Sequence, residues 1–339
     1  MRQLAKLIAL SGLAALGAAG CGGVRLVSSH PRDRAPKVSR APSPKRRPPV
    51  QALVTAQTAN RLLVVAVPGG RIIRAARVGG DAAYVDAARG LVVVVSSDPG
   101  MVTLLDRRSL HVIKVIHGFS SPHIPAISPD GRYAYVTDDG SGELAVIRLS
   151  NHRLLGRVFV GVGAHHLAFS PDERHVWVAL GQTAQTITLL RALNPGHPRV
   201  LGSFHPPFLA HDLLFSPGGG EVWVTSADAD YVGVFSARTR RLLFRVRAGA
   251  PPQHIVFANG HAYITSGYGS SIEKVDLFTG RVLRRTAAPY GSFDLDAAGG
   301  YVATASLLRG TLAIYDKQLR LIGLRQLAPS TEDVALSRP

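Results

Sequence analysis

Cysteine is nearly absent from this sequence: Cys21 is the only one in 339 residues. A disulfide framework, a cysteine-based zinc finger and an iron–sulfur cluster are thereby excluded. Aromatic residues make up 6% and charged residues 18%, the latter below the usual quarter. No apolar run reaches the roughly 18–20 residues that a membrane-spanning helix needs. No Gly-rich phosphate loop, HExxH, GxSxG or Ser/His/Asp spacing is present. Acidic residues are scarce as well, 22 against 39 basic ones, for a formal charge of +17. Residues 1–50 hold ten of the basic residues and only Asp33, so more than half of the excess precedes the part that can fold. Hydrophobic residues, at 46%, are plentiful enough to rule out disorder of the whole chain.

Residues 1–21 have the form of an export signal. Arg2 and Lys6 precede an apolar stretch, Leu7 to Gly20, that ends at Cys21. The site resembles a bacterial lipobox, with Ala18 at a position where Leu is commoner. This implies lipidation of Cys21 and a lipid anchor on the outer, extracytoplasmic face of a bacterial cell membrane. Residues 22–50 are rich in Pro and Arg and contain no aromatic residue. They read as a disordered basic tether suited to anionic lipid headgroups or an anionic surface polymer. Specific nucleic-acid binding is not expected, because no aromatic is interleaved for base stacking.

From residue 51 to 339 the sequence repeats with a period of about 42, in seven copies. The clearest copy spans 133–174. Each copy holds four short runs of Val, Ile, Leu, Tyr and Phe separated by Gly, Pro, Asp and Ser, the pattern of strands joined by tight turns. In 133–174 the strands are expected near 133–137, 143–149, 153–160 and 165–170. The link Ser128-Pro129-Asp130-Gly131 suits a type I turn with Gly131 at positive φ. The expected fold is all-β, a seven-bladed β-propeller of four-stranded blades. The chain begins on a second-strand pattern (51–55) and ends on a first-strand pattern (332–337), so the C-terminal strand should join the N-terminal blade. That closure leaves no open edge, and a monomer is expected.

The segments SPDGRYAYVTDDGSGELAVI (128–147) and SPDERHVWVALG (170–181) resemble the repeat of the YVTN β-propeller family. That family includes YncE-like binding proteins, surface-layer proteins and lactonase-like relatives. The resemblance covers nearly all of 51–339 and implies the fold; one scaffold hosts many activities.

His123, His165 and His211 each lie five residues before a turn serine, Ser128, Ser170 and Ser216; by the same count His254 precedes Asn259 and Glu332 precedes Ser337. In the family's architecture this position begins the innermost strand, at the mouth of the channel. His166 and Asp212 follow directly. These residues form the expected ligand site, with His123, His165, His211 and His254 as candidate ligands for zinc or copper. Imidazoles bonded to backbone and water in a solvated funnel would satisfy the same pattern. The second-to-third-strand loops, with Asp138, Asp139, Asp228 and Asp230, should reach the same end. Trp177 and Trp223 read as packing between blades, and Asp294 and Asp296 as channel-lining residues. His205 lies on a loop lengthened by four residues. The leading expectation is a lipid-anchored propeller that binds an unknown protein or small molecule at its mouth. A metal-dependent, lactonase-like hydrolase is the alternative.

Overall fold

A computed structural model describes residues 49–181 and 184–337. The signal segment, Cys21 and the tether up to residue 48 lie outside the described residues. Twenty-eight strands form seven four-stranded antiparallel sheets arranged as blades. The first strand starts at Val50, one residue earlier than the repeat suggests. Val50 is 5% exposed and packs in the core between the first and last blades, so it belongs to the propeller and not to the tether.

Each sheet is offset from the sequence repeat by one strand. In blade 3 the inner strand Pro122–Ile127 is followed by Tyr133–Asp138, Glu143–Arg148 and Arg153–Phe159. The inner strand of blade 1 is instead the last of the chain, Val334–Ser337, which pairs antiparallel with Val50–Ala56 from Gln51↔Ser337 to Val54↔Val334. The ring therefore closes as expected. The inner strands of the other blades are Ala82–Ala88 (blade 2), Leu167–Phe169 (4), Ala210–Phe215 (5), Ile255–Ala258 (6) and Leu295–Ala298 (7).

The second and third strands alternate Val, Ile, Leu and Ala and are almost wholly buried, because both of their faces meet a neighbouring blade. Trp177 packs with Phe215 in the core between blades 4 and 5, and Trp223 with Phe257 between blades 5 and 6. The turn at 128–131 is built as its sequence implies: Gly131 has φ 68, and the Ser128 hydroxyl donates to Asp130. At the opposite end, Gly100 and Gly310 adopt φ 72 and 63. A Cβ there would lie 2.1 and 1.8 Å from the carbonyl oxygens of Phe119 and Ala328, so only glycine lets the outer strand leave so close by.

Two polar devices tie neighbouring blades together around the axis. Thr55, Thr137 and Thr225, on second strands, donate to the carbonyls of Ala83, His165 and Gln253 in the next blade at 2.6, 2.6 and 2.5 Å; Thr265 does the same to Phe293. Four inner-strand aspartates each accept two backbone N–H groups, one from the next residue and one from the adjacent blade. The cross-blade donors are Ile127 to Asp86, Ile255 to Asp212, Leu336 to Asp296 and Val85 to Asp333, at 2.6–3.1 Å. Each carboxylate thus satisfies donors that would otherwise be buried beside the channel.

Candidate metal centre

The inner strands converge at one end of the axis, and there the structure gathers His123, His165, His166, His211 and His254. The threonine contacts act as a ruler for the exact level. Thr137, Thr225 and Thr265 accept from the N–H of Ile124, Asp212 and His254 in their own blades. They donate to the carbonyls of His165, Gln253 and Phe293 in the next. His123, His165, His211 and Gln253 therefore share one level, whereas His166, Asp212 and His254 sit one residue further on. His254 is not the register-mate of His123. The cause is the Asn259-Gly260 turn. Leu213 pairs with Val224, but Ile255 pairs with Ile264, a loop two residues shorter, so counting back from Asn259 lands one position late.

Both levels reach the axis because the inner strands are irregular there. Pairing shifts between Pro122 and Pro125 and between Ala210 and Leu213. A regular strand would send consecutive side chains to opposite faces. His166 is the hub, 3% exposed, with ring centroids 5.4, 4.7, 4.9 and 4.6 Å from those of His123, His165, His211 and His254. The His123 and His165 rings stack at 3.7 Å. Two overlapping triads, His123–His165–His166 and His166–His211–His254, each bring one ligand atom per residue to within 4.8 Å of the others. Tetrahedral bonds of 2.0–2.1 Å to zinc set nitrogens about 3.3 Å apart, so the rings of either triad would draw closer to hold an ion.

Burial holds His123, His166 and His211 well below the usual imidazole range, and repulsion from neighbouring imidazoles adds to it. Burial lowers His254 too, opposed by Asp212 and Asp333. These shifts favour the neutral ring, the form that binds metal. Four buried nitrogens have no hydrogen-bond partner among the described residues: His123 Nε2, His166 Nδ1 and Nε2, and His211 Nδ1. His254 Nδ1 lies 2.7 Å from Asp294 and His165 Nδ1 3.3 Å from Asp139. A carboxylate behind an imidazole fixes the ring and frees its other nitrogen for an ion.

The remaining sequence candidates divide. Asp212 lies 3.8 Å from His254 Nδ1, but its two oxygens are committed to the N–H groups of Leu213 and Ile255. Glu332 reaches the mouth with Oε2 buried and unpartnered. Burial first, then nearby carboxylates, push its carboxyl up to about 8. Asp138 does not face the mouth: it is fully buried, accepting from Ser120 and Ser121 N–H and pairing with Arg157. Asp228 accepts from Leu209 N–H and the Ser226 hydroxyl, and Asp230 is exposed. His205 contacts Gln185 and Thr186 on an exposed loop, apart from the cluster. Asp296 ties the last blade to the first, while Asp294 supports His254.

Sequence reasoning missed Tyr84, whose ring lies 4.3 Å from that of His123 and whose hydroxyl bonds Glu332. Its signal was available: Ala83-Tyr84 occupies the two levels that His165-His166 fills in blade 4. The partnership of Asp294 with His254 had no signal in spacing, because it crosses between blades.

A protein-family model described as the cytochrome D1 heme domain matches residues 86–191, which include His123, His165 and His166. No curated protein matches the chain. Among solved structures, a protein of unknown function from Desulfotomaculum acetoxidans is similar at 15% identity, TM-score 0.74, over 85% of this chain and 99% of that one. Dihydro-heme d1 dehydrogenase NirN in complex with DHE is similar at 15% identity, TM-score 0.60, over 84% and 74%. Apo AztD from Citrobacter koseri is similar at 10% identity, TM-score 0.64, over 86% and 98%. Together they support a seven-bladed β-propeller fold.

The residues present suit a bare ion and not a haem. The imidazoles pack against one another along the axis and leave no slot for a flat macrocycle between them.

Proposed function

We propose that this protein is a ligand-binding propeller whose ligand is a transition-metal ion, zinc or copper, held at the mouth by His166 with two or more of His123, His165, His211 and His254. In this reading the protein is tethered through Cys21 at the outer face of the cell membrane and holds or hands on the ion there. One observation carries it: five imidazoles gathered in two overlapping triads, each with one ligand atom per residue within 4.8 Å of the others, and four buried ring nitrogens without a partner among the described residues. Nitrogen donors select zinc and copper over magnesium or calcium. When bound, the ion would supply Lewis acidity. The chain's own residues do the rest: Asp294 and Asp139 orient rings, and close packing keeps bulk water from His166.

The hydrolase alternative has one observation in its favour, the Glu332 carboxyl, bonded to Tyr84 but with Oε2 buried and unpartnered. It requires an open coordination position and room for substrate, and the tightly packed rings favour a closed, binding site. The test is elemental analysis of untagged full-length protein after equilibration with zinc or copper and desalting. About one ion per chain is expected, falling below about 0.1 in His166→Ala/His211→Ala. A parent that retains less than about 0.1 overturns the reading. Ester or lactone turnover that disappears in the same variant would transfer it to the hydrolase.

A further inference from the structure

The two ends of the propeller differ in charge. Adjacent strands run antiparallel, so the inner-to-second and third-to-outer turns lie at the end opposite the histidines, and the second-to-third turns lie at the mouth. Cations outnumber carboxylates at the far end: exposed Arg108, Arg132, Arg174, Arg238, Arg240, Arg241, Lys317 and Arg320 stand there with Asp106, Asp130, Asp172, Glu173, Asp276 and Asp316, Asp130 pairing with Arg132. At the mouth end carboxylates and cations are nearly balanced, with Asp81, Asp98, Asp139, Asp228 and Asp230 against Arg61, Arg77, Arg247 and Arg309.

Across blades 1 to 3 the far end is indented by two adjoining clefts of about 560 and 620 Å³ that share Arg89. The first is lined also by Arg74, Arg107, Arg108 and one carboxylate, Asp106, the second by Arg132 and Arg148. Between the cations stand exposed apolar side chains. Phe278, on a turn of blade 6, is 91% exposed, and Leu193, on a turn of blade 4, is 62% exposed. Val112 and Leu321, where two outer strands begin, are also open. Gln51 lines the first cleft, so the chain joins the propeller at this same end, directly after the basic segment 22–50.

We propose that the end opposite the histidine mouth is a docking surface for an anionic phospholipid bilayer. Arginines in the clefts and turns take the headgroup phosphates, and Phe278 and Leu193 enter the headgroup–acyl boundary. Guanidinium groups match phosphate in a two-pronged fashion, and each cation near an anionic surface contributes on the order of a fivefold gain in affinity. The interleaved apolar side chains decide between partners. They gain nothing from a nucleic-acid duplex but are buried on a membrane. Docked in this way, the propeller points its histidines away from the bilayer. This inference is independent of whether the mouth holds metal.

The test uses the full chain with Cys21→Ser, so that no acyl chain drives attachment, and vesicles of phosphatidylcholine with or without phosphatidylglycerol at about 0.1 M salt. Co-sedimentation should favour the anionic vesicles at least tenfold. Arg108→Glu/Arg132→Glu/Arg241→Glu should lose at least tenfold of that binding. Arg61→Glu/Arg77→Glu/Arg247→Glu, whose charges lie toward the mouth, should stay within twofold. Phe278→Ser should weaken the part that survives high salt. Circular dichroism establishes that each variant is folded. Equal loss in the two triple variants, or equal binding to neutral vesicles, overturns the proposal. So does a preference for duplex DNA over anionic vesicles that the first triple variant abolishes.

Discussion

Substituting His166 by alanine removes the one ring common to both triads. An ion that binds only the native state stabilises it by about 2.7 kcal/mol at a hundredfold excess over its Kd. At roughly 2.1 cal/mol/K per residue, a folded unit spanning residues 49–337 has an unfolding entropy on the order of 0.6 kcal/mol/K. Saturating zinc or copper should therefore raise the parent's Tm by about 4–5 °C. In His166→Ala the metal-induced shift should fall below about 1 °C, measured against the variant's own metal-free Tm. Exposed His205→Ala should keep the parent's shift. The metal-free variant has its own expected behaviour. Truncating a buried ring costs about 2–5 kcal/mol in packing, but here it also removes two unpartnered buried nitrogens, worth about 1–3 kcal/mol each. The terms nearly cancel, so the metal-free Tm should move by only a few degrees. Differential scanning calorimetry reads both quantities. An equal metal-induced shift in parent and His166→Ala, or none in the parent at millimolar zinc and copper, would refute the reasoning.

Three further outcomes follow from the way the ring is held. Asp86→Ala strands the N–H groups of Ile127 and Ala87 and should cost about 2–4 kcal/mol in urea unfolding; a loss under 0.5 kcal/mol would mean that the cross-blade tie is dispensable. Deleting 331–339 removes Val334 and Leu336 from the closing core and bares the edge of Val50–Ala56, so cooperative unfolding should disappear; a truncated chain that melts like the parent would contradict closure by that strand. Burial, opposed by N–H donors from Leu336 and Ala297, pushes Asp296 up to about 6. Between its unfolded pKa of about 4 and 6 the native state holds a proton that the unfolded chain lacks, so this residue's contribution is full below pH 4 and is lost as pH rises through 6, by about 3 kcal/mol. The stability difference between the parent and Asp296→Asn should follow that slope, and a difference that is flat from pH 4 to 7 would argue against it.

Much of the fold is legible because each blade must solve the same local problem. Strand runs with two buried faces and turns that need Gly, Pro or Asp leave a period that composition cannot hide, and the phase of that period at each terminus foretells the closure. The histidine cluster is legible for a related reason: Ser128, Ser170 and Ser216 mark a constant distance from the mouth. The rest depends on features that spacing does not carry. A shortened turn at Asn259-Gly260 displaces the count for His254 by one residue. The pairing shifts near His123 and His211 turn two successive positions toward the axis. Asp138 and Asp212 are chemically apt as ligands, yet backbone N–H groups claim them first.

The repeat also supplies its own controls for the mouth. At the level of His123, His165 and His211, sister blades carry Ala83 and Phe293; at the level of His166 and His254, blade 3 carries Ile124. An apolar side chain is therefore compatible with the inner strand at both levels, and the fold does not demand imidazoles there. Where a carboxylate occupies the second level, as with Asp212 and Asp333, it offsets part of the cost of burial by accepting two N–H groups. His123, His166 and His211 have no such compensation: burial lowers the pKa of each, and four of their nitrogens meet no donor or acceptor among the described residues. An arrangement that costs stability at positions where Ala, Ile or Phe would serve is accounted for by something that binds those nitrogens, and an ion held through one His166 nitrogen with the other two rings of either triad is the smallest ligand that fits.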